Sequence, residues 1–193
     1  MMTYYRTDDQ VIHEEEKLSD GVWVQMINPT HDECEEIAEK LMVDIDDVKA
    51  ALDVEESSRI ELQDGYTLIL VDIPSIEERN GKDWFVTIPM AIITTKDVLI
   101  TVCLEETPIL TAFMDGRVRD FHTFMKTRFI LQILYKNATQ YLQYLRIIDK
   151  KSEVIENKLH QSQKNEELIE LLELQKSLVY FTTSLRSNEV VLE

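Results

Sequence analysis

The sequence predicts an α+β fold, within the wider α/β class, in which a largely antiparallel sheet carrying short helices runs into a long antiparallel helical hairpin. Three observations carry that prediction. The composition shifts once, near residue 105, where strand patterns mixed with short helices give way to almost continuous helix. Three of the four glycines and three of the four prolines lie before that point. The apolar spacing changes with it, from alternation around tight turns to an unbroken three-four rhythm.

The first part opens with "QVIHEEEKL" and "GVWVQMINP", which read as two strands around the turn Ser19-Asp20-Gly21. "THDECEEIAEKLM" puts Cys34, Ile37, Ala38, Leu41 and Met42 on one helical stripe, with Thr30 as N-cap. "DIDDVKAAL" reads as a second, shorter helix capped by Asp44. Asp64-Gly65 is a favoured two-residue hairpin turn, flanked by Ile60 and Leu62 on one side and Tyr66, Leu68 and Leu70 on the other. Asn80-Gly81 marks the next turn, between "VDIPSIEE" and "WFVTIPMAIIT". Thr95-Lys96-Asp97 marks a third, leading into "VLITVCL". Pro89 has no N–H for a ladder, which predicts a bulge or a sheet edge at that residue.

The second part, residues 106–193, starts with the short helix "TPILTAFMDG", capped by Thr107 with Pro108 at its first position. The expected hairpin arms cover about 121–161 and 164–190, and with residues 1–105 they are expected to form one domain. In the first arm Leu131, Leu134, Ala138, Tyr141, Leu145, Ile148, Ser152, Ile155 and Leu159 make a heptad seam of the coiled-coil kind. "HQSQKNEE" breaks the helix, with Ser162 or Asn165 as the next cap. Leu171, Leu174, Leu178, Phe181 and Leu185 continue the rhythm in the second arm.

Bulk properties narrow the function. With 44% hydrophobic residues in 193, a core is within reach. A formal charge of −17 excludes nucleic acid, whose phosphates need a basic face, and disfavours an anionic membrane surface. Cations and basic partner segments suit that charge. Cys34 and Cys103 fit no zinc or redox spacing and read as buried, reduced thiols. No run approaches the ~18 apolar residues of a membrane span, and "MMTYYRTDDQ" has no signal-peptide core, so the chain is expected to be soluble and cytosolic.

No catalytic constellation emerges, and the chain is expected not to be an enzyme. There is no Gly-x-Ser-x-Gly elbow and no glycine-rich phosphate loop. His13, His31, His122 and His160 are scattered, with no zinc spacing. "DIDDVKAALDVE" fails as a calcium loop, since Val48 and Lys49 occupy the fifth and sixth positions, where a ligand and a glycine are needed. The acidic pairs Asp46-Asp47 and Glu55-Glu56 remain as hard-cation candidates, read by default as solvated charge.

"DVKAALDVEESSRIELQDGYTLILVDIP" resembles a segment of the CorA-type magnesium and cobalt transporters. The likeness rests on Leu52-Asp53, Arg59-Ile60-Glu61, Tyr66 and the strand Leu68 to Ile73. "MAIITTKDVLITV" resembles that family's next hairpin, and "YLRIIDKKSEVIENKL" with "LLELQKSLVYFTTSLRSNEVV" resembles its acidic helical pair. The resemblance implies a mixed sheet between helical layers, forming the amino-terminal cytosolic domain of a homopentameric funnel. It implies Mg2+ as regulatory and transported ion, with Co2+ as a second cargo, and a place on the cytosolic face of the cell membrane. The family's stalk, transmembrane helices and Gly-Met-Asn are not in this sequence, so the membrane would be reached only through C-terminal helices not present here. Lys49 and Ala50 stand where the family has an acidic pair, and Thr139 and Gln140 near another acidic position. The resemblance leaves Asp46, Asp47 and Asp53 as ligands of a displaced regulatory site. The isolated domain is expected to be monomeric or weakly associated. The rival reading is a soluble regulatory or scaffold protein that docks a partner through its helical hairpin.

Overall fold

The computed structural model describes residues 1–9, 11–79, 81–162 and 165–193, with the side chains of residues 160–162 also left undescribed. Its elements in chain order are β1 (Met2–Asp8), β2 (Val11–Glu15), β3 (Trp23–Ile27), α1 (His31–Leu41), α2 (Ile45–Lys49) and a 3₁₀ turn (Ala50–Leu52). They continue with β4 (Arg59–Leu62), β5 (Tyr66–Arg79), β6 (Lys82–Thr95), β7 (Leu99–Cys103), α3 (Pro108–Met114), α4 (Lys126–Ser162) and α5 (Asn165–Leu192). The strands form one sheet in the order β2-β1-β3-β7-β6-β5-β4. All neighbours are antiparallel except β3 and β7, which run parallel with Trp23 opposite Leu99. The sheet is therefore mixed and largely antiparallel, as expected.

The first strand was hidden in the sequence. β1 inserts between β2 and β3, so the two strands read around Ser19-Asp20-Gly21 are not neighbours. "MTYYRTD" is rich in β-formers but only half-buried, so it shows no apolar alternation. β3, buried on both faces, is a central strand that needs two partners, and β1 supplies one of them. Gly21 at the turn has φ +78, and a Cβ there would lie 3.1 Å from Cβ of Phe124.

Pro89 makes no bulge, but it stands at a local edge of the sheet, one of the two alternatives expected. The β5–β6 register is unbroken from Tyr66↔Thr95 to Arg79↔Lys82, with Asp72 opposite Pro89. β7 ends at Cys103 opposite Met90, so no strand remains to require an N–H from Pro89. Asn80, in the expected β5–β6 turn, lies outside the described residues, as does Gln10 at the start of the first expected strand.

Alternate residues of β5 face opposite layers. Leu68 and Leu70 pack with Cys34, Ile37 and Ala38 of α1 and with Val48 of α2. Ile69, Val71 and Ile73 pack with Ile109, Leu110 and Phe113 of α3 and with Phe129 and Ile133 of α4. Trp23 is the keystone on that second side, with ring centroids 5.1 Å from Phe129 and 6.4 Å from Phe121. Its Nε1 donates to Thr101 Oγ1 at 2.9 Å. The caps are as expected: Thr30 forms a full capping box on α1, Asp44 caps α2, and Thr107 caps α3 ahead of Pro108. Met42 departs from the expected stripe. It caps the C-terminus of α1 at φ +54 and is 86% exposed.

The outer half of the β5–β6 hairpin runs past the end of β4 and is covered by α4 and α5, with Phe85 set 5.6 Å from Tyr144 and 6.5 Å from Phe181. The buried stripe of α5 is Leu174, Ser177, Phe181, Ser184, Asn188 and Val191. Leu178 and Leu185, expected inside, are exposed, and so is Leu131 of α4. The three-four rhythm was right, but small polar residues take the positions nearest the sheet. They let helix and strand approach closely and satisfy backbone groups there. Of the two expected caps before α5, the Ser162 side chain is outside the described residues, and Asn165 is the first helical residue.

Candidate functional site

Two polar centres stand out, one foreseen and one not. The foreseen one is the acidic corner around α2. Asp44 Oδ1 accepts from the N–H of Asp46 at 2.9 Å, the N-cap bond that starts the helix. Asp47 Oδ2 accepts the Tyr66 hydroxyl at 2.5 Å, while the Tyr66 oxygen accepts from the N–H of Asp44 at 3.2 Å. Tyr66 thus ties the start of β5 to both ends of the first turn of α2. Partial burial and then the bond to Asp47 push its phenol up to about 12. Asp53 Oδ1 accepts from the N–H of Glu55 at 3.0 Å, an Asx-type turn. Asp46 and Asp53 are exposed and Asp47 is half-buried.

These three carboxylates do not converge. Among the described residues no group of three or more His, Cys, Asp or Glu side chains is placed to hold a metal ion. One oxygen of Asp47 and one of Asp53 already serve local structure, so the donor set within one chain does not fit a divalent cation. Ala50 is buried in the core against α1, where a carboxylate would have to be desolvated. Thr139 donates its hydroxyl to the carbonyl of Tyr135 at 2.8 Å. Glu55 is exposed, and Glu56 pairs with Arg59 at 2.8 Å. His31 pairs with Glu35 at 3.0 Å and His122 stacks on Phe124, while His160 lies outside the described side chains. Both cysteines are buried and free.

The unforeseen centre is Asp72. Beyond the last β4–β5 pair, Arg59↔Leu70, the backbone of Asp72 has no strand on that side. Its N–H donates to Asn188 Oδ1 at 2.8 Å, and its carbonyl accepts from Asn188 Nδ2 at 2.7 Å. The Asn188 amide thereby copies the donor-acceptor pair of a missing strand. Asn137 Nδ2 and the Tyr141 hydroxyl donate to the same carbonyl at 3.0 and 3.1 Å. Ser58 Oγ completes the set by donating to Asn188 Oδ1 at 2.8 Å. Asn188 is only 6% exposed. Burial holds the Asp72 carboxyl above the usual carboxylate range, partly offset by a bond from Ser184. Burial and then the Asp72 charge push the Tyr141 phenol up as well. This centre latches the helical hairpin to the sheet edge. Its signal in the sequence was Ser177, Ser184 and Asn188 at helical spacing inside a leucine stripe.

Known proteins place this architecture. The cobalt/magnesium transport protein CorA of Methanocaldococcus jannaschii is 24% identical over 193 residues, covering 95% of this chain and 57% of that protein. The chain therefore spans little more than half the length of that curated relative. The complete structure of the CorA magnesium transporter from the same organism matches with a TM-score of 0.85 at 22% identity, over all of this chain and 61% of that one. The structure of its soluble domain matches with a TM-score of 0.84 at 22% identity, over all of this chain and 78% of that one. At those identities the likeness shows the fold. The family profile described as CorA-like Mg2+ transporter protein matches residues 19–193. With nine-tenths of the chain matched and the fold of the CorA soluble domain reproduced, this chain belongs to the CorA-like Mg2+ transporter family.

Proposed function

We propose that this chain is the cytosolic regulatory and gating domain of a divalent-cation transporter that carries Mg2+ and also Co2+. The observation that carries the reading is the family match from residue 19 to 193, over a fold in which no described helix is long and apolar enough to cross a membrane. The two parts divided near residue 105 act as one domain, and the parent assembles as a homopentamer at the cytosolic face of the cell membrane. The family's transport role gives no ground for an enzyme.

Asp46, Asp47 and Asp53 act as sensors only across a boundary between copies, because within one chain they do not converge. In a chain of charge −17, carboxylates facing one another across that boundary repel. A bound divalent ion offsets the repulsion and holds the ring closed; losing it shifts the population toward open states. The test is limited proteolysis of the full-length parent in millimolar Mg2+ or in chelator. Protection by Mg2+ that disappears in an Asp46→Asn, Asp53→Asn double variant is expected. Identical digestion patterns with and without Mg2+ would sink the regulatory role.

A further inference from the structure

The tip of the β5–β6 hairpin meets both long helices around a cavity of about 220 Å³. β6 contributes Lys82 and Asp83 to it, α4 contributes Lys151, and α5 contributes Glu170, Glu173 and Ser177. The three α5 residues share one face because they recur at helical spacing. Ile155 and Leu174, 4% and 7% exposed, form an apolar wall. Two alkylammonium groups already reach in. Lys151 Nζ lies 3.3 Å from Asp83 and 5.2 Å from the centre of the Phe85 ring, and Lys82 Nζ lies 3.8 Å from Glu170.

Two groups in the cavity have nothing to answer them. Glu173 is half-buried, and its carboxylate forms no ion pair or hydrogen bond among the described residues. Ser177 is only 2% exposed, and its hydroxyl, which opens on the cavity, likewise has no partner among the described residues. Both groups give up water on folding without a bond in return, so both call for a donor. Asp83, Glu170 and Glu173 outnumber Lys82 and Lys151 by one, which leaves the cavity one positive charge short. Among the described residues no carboxylates converge as a metal ion requires. The apolar wall instead suits a cation with an apolar body to cover.

We propose that this cavity binds a small organic monocation, a primary ammonium on an apolar body. The ammonium donates to the Glu173 carboxylate and the Ser177 hydroxyl, and the body packs on Ile155 and Leu174. A zwitterion would leave the charge of the cavity unbalanced, and a diamine would overfill it. Occupancy joins the start of β6 to both helical arms through one ligand. The site goes beyond the metal-sensing role proposed above, and none of its residues is a proposed metal ligand.

The test uses the 193-residue chain with isopentylammonium chloride as probe. Free leucine, which has the same branched body but no net charge, is its match. Trp84 lines the cavity and is half-buried, whereas Trp23 is fully buried in the other layer, so Trp84 fluorescence reports occupancy. A saturable shift with a dissociation constant of about 1 mM is expected for so small a ligand. Variants are first confirmed as folded by circular dichroism. Glu173→Gln is expected to weaken binding by about tenfold and Ser177→Ala by about threefold. Glu189→Gln, on the same helix but outside the cavity, is expected to leave binding unchanged. An equal response to NaCl at the same ionic strength assigns the shift to screening and overturns the proposal. Leucine or isopentanol binding as tightly as the probe, or full binding in Glu173→Gln, overturns it as well. So does the absence of a saturable shift up to about 20 mM.

Discussion

Tyr66 shows how one side chain can tie an element to its neighbour. Its hydroxyl donates to Asp47 and accepts from the N–H of Asp44, and its pKa rises from the ordinary 10.0 to about 12. The folded state thus favours the protonated phenol. The stability it contributes is complete below pH 10.0 and is lost as pH rises through about 12. Urea midpoints of the wild type are expected to fall across that window, with a shallower fall in Tyr66→Phe. Equal slopes in both proteins would show that Tyr66 is not the titrating group. Asn188 matters more, because its bonds are buried. Asn188→Ala strands the N–H of Asp72 and the hydroxyl of Ser58, though Asn137 and Tyr141 still serve the Asp72 carbonyl. A loss of about 2–3 kcal/mol is expected by chemical denaturation, against less than about 0.5 for the exposed neighbour Glu189→Ala. Comparable losses at the two positions would contradict the latch.

At the scale of elements, legibility followed the strength of the local signal. α1, α2 and α3 were readable to their caps because Thr30, Asp44 and Thr107 are capping residues ahead of apolar-periodic runs. β4 to β7 were readable from their turns, since Gly65 and Gly81 stand at tight reversals with φ +88 and +73. β1 was not, because its half-buried tyrosines and threonines give no period and its place in the sheet depends on strands distant in sequence. The face of α5 was misjudged for a different reason. Leucine outranks serine and asparagine in any hydrophobic count, yet the sheet edge at Asp72 needed hydrogen bonds more than apolar area. Pro89 was readable as an edge position, since its missing N–H costs nothing where no strand lies opposite, and β7 stops one residue short.

For the whole molecule, charge is the dominant global property. A net −17 makes the compact state repel itself, so screening should stabilise it. Raising NaCl to about 0.5 M is expected to raise the thermal midpoint, because the Debye length then falls to a few ångströms. MgCl2 at equal ionic strength should add to that rise only if Mg2+ binds the folded state specifically. A midpoint insensitive to salt would mean that the acidic faces are too far apart, or too well paired, to matter.

By itself the sequence determined the fold class, the family, the helix caps and the hairpin turns, because each rests on residues close together along the chain. It also singled out Asp46, Asp47 and Asp53 by type and proximity. Only the tertiary structure decided that these three do not gather within one chain, since two of them have an oxygen committed to Tyr66 and to the Glu55 backbone. Only the tertiary structure placed β1 inside the sheet and Asn188 against Asp72. The reason is the same for both. Buried backbone groups must find partners, and which strand or amide supplies them is settled by where distant segments meet in space.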